Sequence, residues 1–106
     1  MLTGVAIHVS RRLLFISDSA GYVARSSLVR YTPPRTILTP AHTNFLPLDL
    51  SVDWLNDQLY MLGEVTHSTG TMWQVARCGL DGRGLTIAVA GFLTKPYHIE
   101  VDPYNG

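Results

Sequence analysis

The strongest constraint on this chain is that it repeats itself. Ile7-His8-Val9-Ser10-Arg11-Arg12-Leu13-Leu14-Phe15-Ile16-Ser17-Asp18 lies over Val52-Asp53-Trp54-Leu55-Asn56-Asp57-Gln58-Leu59-Tyr60-Met61-Leu62-Gly63, an offset of 45 positions, and the apolar positions coincide throughout. Val23-Ala24-Arg25 matches Val75-Ala76-Arg77 at an offset of 52, so the second copy carries seven extra residues, read as a polar loop around His67-Ser68-Thr69-Gly70. A third copy opens at Pro96-Tyr97-His98-Ile99-Glu100-Val101-Asp102, which follows Pro47-Leu48-Asp49-Leu50-Ser51-Val52-Asp53 by 49 positions. Units of this kind must bury their apolar faces against one another.

Each copy reads as four short strands. Leu48 to Asp53 alternates apolar and polar, Leu59 to Leu62 is an apolar run, Trp73 to Cys78 alternates again, and Leu85 to Val89 is rich in β-branched residues. Arg11-Arg12 and Asn56-Asp57 mark the first turn of each copy, and Leu80-Asp81-Gly82-Arg83-Gly84 marks a hairpin turn where glycine supplies positive φ. No segment reads as a helix. Four-stranded units of about 40 to 50 residues are propeller blades. A seven-stranded sandwich fits the length but does not account for the internal matching. The expected organisation is all-β: residues 1–46 as a first blade, 47–95 as a second, and 96–106 as the first strand of a third.

Hydrophobic residues make up 46% of the chain, enough for a small core, and eight basic residues balance eight acidic ones. That balance supplies no electrostatic footprint for nucleic acid or an anionic membrane. No apolar run approaches the roughly 20 residues of a membrane span, and the first residues do not read as a signal peptide.

Each copy has an apolar-x-Val/Ile-Asp/His first strand and an aromatic-led four-residue motif in the second, Phe15-Ile16-Ser17-Asp18 and Tyr60-Met61-Leu62-Gly63. Leu-Asp-Gly follows the third strand of the second copy, and Pro opens the next unit. This pattern resembles the class B repeat of the low-density-lipoprotein receptor, named for Tyr-Trp-Thr-Asp, although the second motif has lost its Asp. Leu50 to Tyr60 and Ala90 to Gly106 are similar to a propeller in the Ros/sevenless family of receptor tyrosine kinases. The resemblance implies part of a six-bladed YWTD propeller on the extracellular side of the plasma membrane, in a single-pass receptor whose propellers alternate with fibronectin type III domains. Any kinase activity would belong to the parent receptor.

The resemblance implies that Asp18, at the motif's Asp position, ties blades together through backbone groups. Asp53 and Asp102 recur at the ends of first strands, with His8 in their place in the first copy, and repetition points to a fold requirement. Asp81 and Gly82 belong to the hairpin turn, which lacks the pattern and following helix of a phosphate loop. His8, His42, His67 and His98 show no metal-ligand spacing. Ser17 with His8 and Asp18 makes a poor nucleophilic trio, with no elbow to activate the serine. Cys78 reads as a small buried apolar residue or as the partner of a cysteine outside the chain. Trp54, Trp73, Tyr97 and Tyr104 are candidate protein-contact aromatics, with Tyr60 beside them.

No catalytic, cofactor or metal site is expected. The leading expectation is a protein-interaction module whose partners are a protein ligand, neighbouring blades or fibronectin domains, and whose open blade faces promote self-association. The alternatives are a piece of a propeller hydrolase or lactonase, and a truncated product with no independent role.

Overall fold

The computed structural model describes residues 1–30, 33–92 and 99–101, with the side chains of residues 91 and 92 excepted. The strands β1 (Leu2–His8), β2 (Leu13–Asp18), β3 (Val23–Ser27) and β4 (Arg35–Leu38) form one antiparallel meander. A second is formed by β5 (Leu46–Asp53), β6 (Gln58–His67), β7 (Gly70–Gly79) and β8 (Thr86–Phe92). The described residues are all-β apart from one turn of helix, α1 (Pro40–Thr43), between the sheets.

The repeat persists in the backbone irregularities. β1 slips register against β2 between Leu2 and Gly4, and β5 slips against β6 at the equivalent place, between Pro47 and Asp49. The third and fourth strands slip between Val23 and Ala24 in one sheet and between Val75 and Ala76 in the other. Arg12 and Asp57, counterparts at the first turns, both have left-handed backbones, with φ of 55° and 53°.

The sheets stack face to face. Directly opposed residues of an antiparallel pair project to the same side. Phe15, paired with Ala6 and Arg25, therefore shares a face with Ser17, Val23 and His8. Sheet two answers with Leu50, Val52, Leu59, Met61, Ala76 and Cys78, and the two sets make one core with Leu38 and Phe45. β1 lies beside β5, and their contacts advance together: Thr3 donates to the Pro47 carbonyl at 2.6 Å, and His8 meets the turn after β5. Residues 99–101 lie along the far side of β5 in the same sense, the Ile99 amide donating to Asp49 Oδ2 at 3.0 Å and the Val101 amide to Ser51 Oγ at 2.9 Å.

Two expectations need correction. A helix does form, where Pro40 presets φ at its first position, the Thr39 amide donates to His42 Nδ1, and Asn44 ends it in a left-handed conformation, φ 53°. The seven extra residues do not make a loop. β6 and β7 stay paired from Gln58↔Gly79 to His67↔Gly70, because Val65, Thr66 and Thr71 are β-branched and continue the ladder to a two-residue turn.

Gly63 explains the lost motif Asp. A Cβ at this position would stand 2.6 Å from Cδ2 of Phe45. The Phe45 ring occupies the space where the first sheet carries the Asp18 side chain, so an apolar contact replaces a polar one.

Candidate functional site

The most densely bonded polar group lies at one end of the seam, where β1 and β5 run into their turns. β5 ends on buried Asp53, whose Oδ1 accepts the amides of Leu55 and Asn56, each at 3.1 Å, while Oδ2 accepts Nδ2 of Asn56 at 2.8 Å. A buried carboxylate needs such partners, and these close the turn. β1 ends on His8, 1% exposed, and the imidazole does the same work: Nδ1 accepts the Arg11 amide at 3.2 Å and lies 3.2 Å from Ser10 Oγ. Because Nδ1 accepts an N–H, the ring proton sits on Nε2, which donates to Asp57 Oδ1 at 2.8 Å.

Asp57 belongs to the second sheet's first turn, so His8 closes its own turn and clasps the neighbouring sheet in one step. The Arg11 guanidinium binds the other oxygen of Asp57. The hydrogen bond from Arg11, followed by that from His8, holds the Asp57 carboxyl down to about 2. A depressed carboxyl stabilises the fold above its ordinary value of 3.8, and that contribution is lost as the pH falls through about 2. Both side chains are solvent-accessible, so the contribution is modest and screened by salt.

Below this clasp the seam opens into a cleft of about 610 Å³ lined by Arg11, Leu13, Arg25, Asp57, Leu80 and Asp81. Arg25 crosses it, Nη1 donating to the Leu80 carbonyl at 3.0 Å. The β7–β8 turn also touches β4, since the Ile37 carbonyl lies against Gly82.

The expected site residues do not converge on one centre. Asp18 Oδ1 accepts the amides of Ala20 and Tyr22, at 2.9 and 3.1 Å, within its own β2–β3 turn. Asp81 accepts the Arg83 amide at 3.0 Å, and that bond lowers its carboxyl. Trp54 stands exposed at the turn after β5. Trp73 lies on β7 and donates from Nε1 to Glu64 at 3.1 Å. Asp102, Tyr97, Tyr104 and His98 fall outside the described residues. Among those described, no three His, Cys, Asp or Glu side chains gather as metal ligands, and no helix is long and apolar enough to cross a membrane.

Ser17 is bonded to Thr3 Oγ1 at 2.8 Å, and His8 is directed elsewhere. A different trio meets: Ser10 Oγ, His8 and Asp57. The Arg11 amide already occupies the one acceptor lone pair of Nδ1, so the ring has no free base to offer Ser10. This is turn closure, the role that Asp53 plays in the second copy.

Arg11 and Asp57 are legible in the sequence only as turn residues, and nothing in it marks Arg25, Asp49 or Ser51. The repeat contained one signal: His8 stands where the other copies carry Asp, and a residue that replaces a turn-closing carboxylate must accept the same amides.

Cys78 is buried, and burial, with the nearby Asp81 charge, pushes its thiol up to about 12. It is therefore expected to react with a thiol reagent at neutral pH only as fast as the chain unfolds. Burst labelling of the native protein would contradict this placement.

Compared with known proteins, the chain matches no family model and no curated protein.

Proposed function

We propose that the chain forms two consecutive blades and the opening strand of a third in a YWTD-type β-propeller, and that it serves as a non-catalytic protein-interaction module of the extracellular kind its sequence resembles. The observation that carries the reading is the placement of residues 99–101. They lie along β5 as β5 lies along β1, bonded through Asp49 and Ser51, so the stacking step is taken twice in the same sense. A two-sheet sandwich has no use for a further segment laid along β5 at that position. The exposed apolar residues Val5, Ile7, Ile87 and Val89 also suit a stack that continues beyond these two sheets.

In this reading the bonded carboxylates shape turns and seams, and Trp54 with Leu55, exposed side by side after β5, are the candidate anchors for a protein ligand. Asp57, Arg11 and His8 are spent on one another. The hydrolase alternative needs an activated serine, and Ser10 is the one hydroxyl beside His8. A fluorophosphonate probe is expected to leave Ser10 unlabelled, whereas stoichiometric labelling lost in Ser10→Ala would favour the enzyme.

The test of the module reading is a circular-dichroism melt at two concentrations about fifty-fold apart, because assembly through open faces makes the midpoint depend on concentration. A broad or concentration-dependent transition is expected. A sharp transition with one midpoint at both concentrations would indicate a self-sufficient small β domain.

A further inference from the structure

Sheet one exposes the same face that sheet two covers. Val5 and Ile7 are the counterparts of Leu50 and Val52, Leu14 and Ile16 of Leu59 and Met61, and Ala24 of Ala76. On sheet two these positions pack against sheet one, with Leu50 and Val52 only 4% and 8% exposed. Val5 and Ile7 are 54% and 51% exposed, while Leu14, Ile16 and Ala24 beside them are partly buried. Cross-strand pairing puts Val5, Ile16 and Ala24 in one row and Ile7, Leu14 and Ser26 in the next, with no charge among them.

The rim of this face indicates what covers it. In the closed seam the covered sheet presents Asp57, and the covering sheet brings the cationic Arg11 with His8. At the bare face the place of Asp57 is taken by Arg12, on the same left-handed backbone. Its guanidinium has no hydrogen-bond or ion-pair partner among the described residues. The polarity of the seam is therefore reversed. A sheet that docks here must bring a carboxylate where His8 stands, and the long Arg12 side chain makes up for a shorter partner.

We propose that the bare face of β1 and β2 is a docking surface for another four-stranded repeat of the same polypeptide, one whose first strand ends in a carboxylate that pairs with Arg12. This rests on the stacked-blade reading and adds the charge of the missing neighbour. Asp53 shows that the repeat accommodates a carboxylate at that position. Head-to-tail docking of a second copy is blocked, because residues 99–101 already occupy the side of β5 that its β1 would need.

The chain supplies its own probe. A duplicate of residues 46–96 joined ahead of Thr3 would place β1 against the duplicated first strand as residues 99–101 lie against β5. The added sheet is expected to raise the melting midpoint by about 5 °C or more, and Arg12→Glu in this longer chain to lower it by about 4 °C. Asp53→Asn in the duplicate keeps a turn-closing oxygen and removes the charge. Combined with Arg12→Glu it should cost no more than Arg12→Glu alone, the non-additivity of a direct pair. A raised midpoint with strictly additive substitutions overturns the Arg12 pairing and leaves the stack standing. No gain from the added sheet overturns both. If coupling is absent and Ile7→Asp instead turns a sedimenting dimer of the 106-residue chain into monomer, the face belongs to a second copy, which also overturns the proposal.

Discussion

Gly82→Ala is expected to cost the chain about 2–5 kcal/mol, from a positive-φ penalty of about 1–2 kcal/mol and overpacking of about 1–3 kcal/mol. Gly82 has φ of 88°, and a Cβ built on it would stand 2.2 Å from the Ile37 carbonyl oxygen and 3.0 Å from its carbon. Those atoms are backbone, held in β4 between the paired residues Thr36 and Leu38, so no rotamer change relieves the clash. The turn must instead lift away from sheet one, and the bond from Arg25 to the Leu80 carbonyl is lost with it. Gly84 provides the control. It also has positive φ, 70°, but open space where its Cβ would go. Gly84→Ala should therefore cost only the conformational term, about 1–2 kcal/mol. Urea titrations followed by tryptophan fluorescence would compare the two. Equal losses would mean that the turn does not abut β4.

The sequence made the order of elements legible because the repeat is written in side chains that alternate inward and outward. The offset of 45 that aligned Ile7 with Val52 also aligns the slips near Gly4 and Asp49. Phe15, Leu59 and Met61, all within the matched apolar runs, are among the largest fully buried side chains. What stayed hidden was decided between sheets, where no local rule operates. Nothing near Gly63 announces that the Phe45 ring fills the space of a lost carboxylate, since the two meet only after β5 and β6 pair. The seven extra residues around His67-Ser68-Thr69-Gly70 read as a polar loop because His67, Ser68 and Gly70 dominate the composition there, whereas Thr66↔Thr71 and Val65↔Met72 pair across the hairpin. The His8–Asp57 clasp was half legible: the substitution of His for Asp was visible, but its partner across the seam was not.

The second large effect separates the faces of a single strand. Phe15 and Ile16 are neighbours on β2, and only one of them lies in the seam. Phe15 is fully buried with Val23, Leu38 and the apolar set of sheet two, so Phe15→Ala removes a ring from a packed interior and is expected to cost about 3–5 kcal/mol. Ile16 shares the bare face with Val5 and is only partly buried, so part of what it loses on truncation is surface already in contact with water. Ile16→Ala should cost about 1–2 kcal/mol in the 106-residue chain. Covering the bare face changes the second value alone. In the chain lengthened by a duplicate of residues 46–96, Ile16→Ala should rise toward about 3 kcal/mol, while Phe15→Ala stays where it was. The contrast depends on which sheet covers which face and not on hydrophobicity, since both residues are large and apolar. If both substitutions cost the same in the short chain, β2 is covered on both sides without a further sheet and the stacked-blade reading fails. If only the Phe15 value is large in both chains, the added repeat does not dock.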